Sequence, residues 1–240
     1  MLKKNTMKSS AIRVLATLAL AAVPGFASPI YVSNFSFEQV TGGVTLPSSC
    51  SGNCAVSNGN VLPILGWTGS ATGPWGQWQP GSTANGFWSA GPNPDQVSAG
   101  GAGPTVAYLQ GGTISQSFVI PTISSTWMYT LQVDIGDRLD KGTTGFLGTA
   151  DLKICAGASC TTIVATGTAP AVGGFSTYTA TYLATAADSG KSLTIDLNST
   201  GVQGDFDNVR LDAVPEPASF LLIGSALFAL SVIRRRRANS

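Results

Sequence analysis

The chain has 240 residues, with 13 Lys or Arg, 12 Asp or Glu and no His, for a formal net charge of +1. Lack of His excludes Ser-His-Asp and Cys-His nucleophile systems and His-based metal sites. Eight of the 13 basic residues lie in the two terminal segments, so residues 28–213 keep five against 11 carboxylates, a net charge near −6. Such an acidic body disfavours nucleic acid and anionic lipid, which both need Lys/Arg clusters.

Met1 to Ala27 reads as a secretory signal peptide. Lys3, Lys4, Lys8 and Arg13 precede an apolar stretch from Val14 to Val23, which Pro24 and Gly25 break before small residues. Cleavage is expected after Ala27, with the secretion machinery as partner. An uncleaved anchor fits less well, because the apolar part has only about ten residues.

Residues 28–213 are long enough to bury one β domain. Ile30–Phe37 alternates weakly, with Phe35 and Phe37 on one face. Thr105–Gln110 and Thr113–Ile120 flank Gly111-Gly112, which predicts a hairpin. Trp127–Ile135 predicts a half-buried strand with Trp127, Tyr129, Leu131, Val133 and Ile135 inward. Ala150–Cys155 and Thr161–Thr166 are short strands joined by a loop, and Phe175–Ala184, Ser192–Leu197 and Phe206–Leu211 follow. No amphipathic helix of useful length is evident. Eight or nine strands with 29 Gly and 13 Pro predict an all-β fold, a single jelly-roll-like β-sandwich.

Cys50, Cys54, Cys155 and Cys160 form two local pairs. In an oxidising compartment they read as disulfides, Cys50–Cys54 and Cys155–Cys160. A four-Cys zinc site fits poorly with spacers longer than CxxC. Between Gly66 and Pro104 the composition turns rich in Gly, Pro, Asn and Ser, yet carries Trp67, Trp75, Trp78, Phe87 and Trp88. Aromatics argue against disorder, and a long loop is commonly functional. Trp75, Trp78 and Trp88 are therefore candidates for stacking on sugar rings, the alternative being that they cap one end of the sandwich. Trp67 and Trp127 are expected in the core.

Asn34-Phe35-Ser36-Phe37-Glu38, Ile64-Leu65-Gly66-Trp67-Thr68, Tyr108-Leu109 before Ile114-Ser115-Gln116, and Asp205-Phe206-Asp207-Asn208-Val209-Arg210-Leu211 together resemble the galactose-binding-like β-sandwiches, the fold of many carbohydrate-binding modules. That resemblance implies a structural Ca²⁺ held by Glu38 and Asp207, with the Ser36 carbonyl as a further oxygen, hard ligands of the kind Ca²⁺ takes. The alternative is that both carboxylates bond backbone N–H groups at strand ends. Asp134, Asp137 and Asp140 form an acidic cluster that could in principle run glycoside hydrolysis, but Asp is common in turns. No P-loop, GxSxG or dinucleotide fingerprint is evident, and the chain is expected to be non-catalytic.

The last 27 residues are the most specific. Val214 and Pro215-Glu216-Pro217 lead into an apolar run, Ala218 to Ile233, then Arg234, Arg235, Arg236 and Arg237. As a transmembrane helix this run spans about 24 Å, short of a hydrocarbon core of about 30 Å, and the Arg cluster should stay cytoplasmic. Residues 214–237 resemble the PEP-CTERM sorting signal of exported Gram-negative proteins. The resemblance implies an exosortase as partner, transient inner-membrane anchoring, then release to the cell surface or matrix, and an association with biofilm exopolysaccharide. The expectation is an exported, envelope-tethered β-sandwich that associates with exopolysaccharide. The alternative is a structural extracellular protein making protein contacts only.

Overall fold

The structure is a computed structural model that describes residues 28–38, 53–57, 64–69, 73, 75–80, 105–123, 126–139, 148–199 and 202–215. The twelve strands among them are β1 (Ser28–Ile30), β2 (Asn53–Ser57), β3 (Thr68–Gly69), β4 (Trp75–Pro80), β5 (Val106–Leu109) and β6 (Gly112–Val119), then β7 (Trp127–Asp137), β8 (Gly148–Ala156), β9 (Ser159–Val164), β10 (Gly174–Ala184), β11 (Ser192–Ser199) and β12 (Gly204–Pro215). They build a β-sandwich. One sheet has seven strands in the order β10-β7-β12-β5-β4-β2, with β1 also on β12, and the other has five in the order β3-β6-β11-β8-β9. The strand β12 pairs antiparallel with β1 and β5, as do β10 with β7, β4 with β2 and β5, β6 with β3 and β11, and β8 with β9 and β11. Residues Ser28–Ala213 form one compact unit.

The core lies between the sheets and follows the period-2 rule. From β7 it takes Tyr129, Leu131, Val133 and Ile135, from β8 Ala150, Leu152 and Ile154, and from β11 Leu193, Ile195 and Leu197. Tyr178, Ala180 and Tyr182 of β10 point inward, so that strand's outward row is Phe175, Thr177, Thr179 and Thr181. Phe206 of β12 is fully buried. Its ring tip lies 2.1 Å from where a Cβ on Gly148 of β8 would stand, so only glycine fits there.

Two expectations about the first half are corrected. The Gly111-Gly112 pair does not make a hairpin: β5 belongs to the seven-stranded sheet and β6 to the five-stranded one. With φ of +79° and +88°, the two glycines turn the chain from one sheet to the other. Ile30–Phe37 is not one strand either. Only Ser28–Ile30 pairs, with β12, and Asn34 and Phe37 take φ of +49° and +56°, which breaks the extended alternation. Phe37 is therefore fully buried while Phe35 is 37% exposed.

Cys155 and Cys160 are disulfide-bonded across the β8–β9 turn. Cys50, Trp88, Asp140, residues 1–27, where a signal peptide is expected, and the residues from Glu216 onward lie outside the described residues, so the expected Cys50–Cys54 bond does too. No helix among the described residues is long and apolar enough to cross a membrane.

The β10–β11 connection carries a 3-10 turn, Ala186–Asp188, closed by one carboxylate. Asp188 Oδ1 accepts from Lys191 Nζ at 2.7 Å, and Oδ2 accepts from Thr185 N at 2.8 Å and Thr185 Oγ1 at 3.1 Å. The Lys191 ammonium, then the Thr185 N–H, hold the Asp188 pKa down at about 2. A depressed carboxylate stabilises the fold above its unfolded pKa of about 3.9, and that stabilisation is lost as pH falls toward the folded value. Asp188→Asn should therefore cost about 2 kcal/mol near neutral pH and little at pH 2. Urea midpoints measured at pH 5 and pH 2 check this: the wild type should lose more than the variant over that interval.

Candidate functional site

The outer face of the seven-stranded sheet, turned away from the core, is not an ordinary solvated face. In an exposed sheet the outward residues are polar and wet. Here Val106 and Tyr108 of β5 and Trp78 of β4 form a second buried apolar cluster, with Phe175 of β10 packed against it. Register explains the grouping: Trp78 pairs with Val106 and Gly76 with Tyr108, and Asp205 of β12 pairs with Tyr108. Asp205 and Asp207 have no exposed surface, Asp134 of β7 is 2% exposed and Asn208 is also 2% exposed.

These polar groups are held by a hydrogen-bonded frame. Asp134 Oδ1 accepts from Thr177 Oγ1 at 2.5 Å, its Oδ2 accepts from Asn208 Nδ2 at 2.9 Å, and Arg210 Nη2 lies 3.8 Å from Oδ1. Gln110 Nε2 donates to Gln203 Oε1 at 3.1 Å, and Gln203 Nε2 donates to Asp205 Oδ1 at 2.8 Å. Asp207 Oδ1 accepts from the Asn208 N–H at 2.6 Å. Asn208 takes φ +49° inside β12, a conformation Asn tolerates better than most residues. It inserts one extra residue between the inward Phe206 and Val209, both in the core. This is a bulge, and it aims the Asp207-Asn208 pair outward.

Arg138, just past β7, has its guanidinium carbon 4.5 Å from the centroid of the Trp78 ring on β4. Since β12 and β5 lie between β7 and β4, that side chain reaches over two strands. Cation–π contact of this kind contributes about 0.5–2 kcal/mol, and here it bounds one side of the acidic row. The arrangement holds three carboxylates out of water beside Tyr108, each with a hydrogen-bond partner within the chain.

Of the candidate stacking residues, the two that are described, Trp75 and Trp78, lie on opposite faces of β4. Trp75 pairs opposite Leu109 and packs on the core, with its ring beside Gly69. Trp78, three residues on, faces the other side of the same sheet, is 5% exposed, and has Arg138 on one ring face. Both belong to β4 instead of a loop. Trp67 is in the core and Trp127 packs against it. Asp134 and Asp137 also fall on opposite faces of β7, since the strand pairs with β10 without a break. The pair therefore does not form a carboxylate dyad. Burial pushes the Asp137 carboxyl above its ordinary pKa. Glu38 accepts from the Thr105 N–H at 2.8 Å, and Asp207 lies on β12, beside the strand that Thr105 leads into. Among the described residues no three His, Cys, Asp or Glu gather to hold a metal ion. Sequence reading missed Asp134, Asp205, Asn208 and Tyr108 as a group. The available signal was Asp205 and Asp207 flanking an inward Phe206, which puts acids on one face of a strand.

A family model described as HpiC1 cyclase matches residues 28–212. The chain belongs to the HpiC1-like family. The PEP-CTERM protein-sorting motif matches residues 213–237, so this is an exported protein, membrane-anchored and then sorted to the cell surface by exosortase-type machinery. No curated protein matches the chain. Among solved structures, the enzymatically active domain of tailspike protein 4 of bacteriophage CBA120 matches at 14% identity and a TM-score of 0.37. That match covers 62% of this chain and 19% of the tailspike chain.

The site rests on the loop after β1. Gln116 of β6 points inward and is 8% exposed. Its Oε1 accepts from Ser33 N at 2.8 Å, and its Nε2 donates to Ser33 O at 3.1 Å and Gly66 O at 2.9 Å. Val209 N then donates to Phe35 O at 2.9 Å, tying the loop to the bulged strand. Gln116→Leu removes the partner of Ser33 N and Gly66 O, while Ser33 O keeps Trp67 Nε1 at 3.0 Å, and should cost about 1–3 kcal/mol. Urea unfolding measures the loss, and native-state hydrogen exchange should show the Val209 amide exchanging faster, because its acceptor is no longer held.

Proposed function

We propose that the chain is an exported, envelope-sorted β-sandwich module that associates with exopolysaccharide, and that the outer face of its seven-stranded sheet is the ligand site. The observation that supports this reading is the row of buried acceptors Asp134, Asp205 and Asp207 beside Tyr108 and Phe175. Sugar hydroxyls donate to carboxylates, and the C–H faces of a sugar ring pack on aromatic rings.

Asp205→Asn and Tyr108→Phe should each weaken binding of the producer's purified exopolysaccharide at least tenfold, about 1.4 kcal/mol or more, as read by titration calorimetry on the full-length chain. Unchanged affinity in both variants would remove the outer face as the site.

A second reading is catalysis at the same face. The family description names a cyclase, and Asp205 is fully buried beside Tyr108 with Gln203 on one oxygen. A carboxyl group held away from water is suited to proton transfer when burial raises its pKa. Loss of turnover, with ligand affinity retained, in Asp205→Asn would favour catalysis over binding.

A structural Ca²⁺ at Glu38 and Asp207 is part of the proposal. Both supply hard oxygens, but one oxygen of each already accepts a backbone N–H. Completing the six to eight ligands that Ca²⁺ takes requires carbonyls such as that of Ser36. EDTA should lower the melting temperature by several degrees, with Ca²⁺ but not Mg²⁺ restoring it. A melting curve indifferent to EDTA removes the ion.

A further inference from the structure

A cleft of about 290 Å³ opens where β1 meets β12, lined by Pro29, Tyr31, Phe35, Val209, Arg210 and Asp212 among others. Tyr31 and Phe35 are the two exposed aromatic rings among the described residues, at 72% and 37%, and both line this one cleft. Every other described aromatic side chain is buried or half-buried. An exposed aromatic costs hydrophobic stabilisation unless something covers it.

The platform is rigid. Phe35 sits in the turn whose preceding residue, Ser33, is bonded by Gln116 and by Trp67 Nε1 at 3.0 Å. The turn is closed by Phe37 N donating to Asn34 O at 3.1 Å and fastened to β12 by the Val209 N–H. The backbone that carries the Phe35 ring is thus fixed, so less conformational freedom is lost on binding, which favours affinity.

The polar lining is matched in sign. Arg210 and Asp212 alternate outward along β12, one cation and one anion two residues apart. The Arg210 side chain is 42% exposed and meets Asp134 only at 3.8 Å. Its Nε is buried with no hydrogen-bond partner in the chain. Apolar faces with one donor and one acceptor fit an uncharged, polyhydroxylated ring. A cleft of this volume is at the small end of ligand sites, which run from about 300 Å³, and far below what a stable protein interface buries.

We propose that this cleft is a second binding site, taking a neutral sugar ring of a polysaccharide, with Tyr31 and Phe35 against its C–H faces and Arg210 and Asp212 on its hydroxyls. It shares Arg210 with the frame of the outer-face site through Asp134 and presents the exposed rings that Trp75 and Trp78 do not.

The test is native affinity electrophoresis of the full-length chain in detergent, in gels cast with dextran, laminarin, xylan or galactomannan. At least one of these should retard the wild type. Tyr31→Ala and Arg210→Gln should weaken that retardation at least tenfold, while Thr162→Ala on the exposed β9 leaves it unchanged. Tyr31 is exposed enough for its variant to keep the wild-type melting temperature, which is checked in parallel. Three results would overturn the proposal: no retardation in any gel, retardation that survives Tyr31→Ala but is lost in Tyr108→Phe, or a Tyr31-dependent dimer in sedimentation with no polysaccharide binding.

Discussion

The arrangement of this domain depends on one amide placed where an apolar side chain would be expected. Gln116 points from β6 into the sandwich between inward Ile114 and Phe118, and an unbonded amide there would cost several kcal/mol. It is satisfied by the backbone of Ser33 and Gly66, so the two segments that lack strand partners of their own are fixed to the five-stranded sheet. The fit is tight: Gly66 has φ +81°, and a Cβ there would stand 2.4 Å from Ser33 Oγ. With the loop set this way, Phe37 turns inward to meet Trp67 at 5.5 Å between centroids, Phe35 turns outward, and Gln77 Nε2 donates to the Phe37 carbonyl. The first loop thus connects the core to both candidate ligand surfaces.

The second constraint is the bulge at Asn208. A strictly alternating β12 would put Asp205, Asp207 and Val209 on one face. The left-handed backbone at Asn208 returns Val209 to the core and leaves Asp207 on the outer face. That face can hold acidic groups out of water because each has a specific partner of its own, from Gln203, Thr177, Asn208 or a backbone N–H. Such a network specifies one geometry at a cost in stability, which is the usual balance at a binding or catalytic site.

Strands whose side chains alternate cleanly were legible in the sequence. β7, β8, β9, β10 and β11 lie where period-2 alternation and the Cys155–Cys160 turn placed them, within a few residues. What failed was pairing. Gly111-Gly112 carries the same local signal whether the next strand folds back or crosses to the opposite sheet, and only the partners, β12 for one and β11 for the other, decide it. The Trp-rich stretch misled for a related reason. Gly, Pro and Ser around Trp75 and Trp78 read as loop, yet β4 gains its stability from pairing with β2 and β5, a long-range effect that local composition does not carry. Glu38, Asp207 and Tyr108 lay in the motifs that carry the resemblance, and Asp134 in an acidic cluster, but nothing local shows that the sheet sets Asp134 and Tyr108 on either side of β12 on one face.

Asp134 links the two candidate surfaces. Through Thr177 and Asn208 it belongs to the outer-face frame, and through Arg210 it reaches the cleft beside Tyr31. A sugar hydroxyl or any other acceptor that drew Arg210 toward the cleft would weaken an already long 3.8 Å contact and remove positive charge from beside the Asp134 carboxylate. That would raise the energy of the charged form, so occupancy of one surface bears on the other through a single guanidinium. Linkage makes such an effect reciprocal. On the proposed reading, a repeating polymer would meet two small, adjacent contact surfaces. Each can be weak alone, and a repeating ligand that meets both gains affinity from their proximity without any new contact.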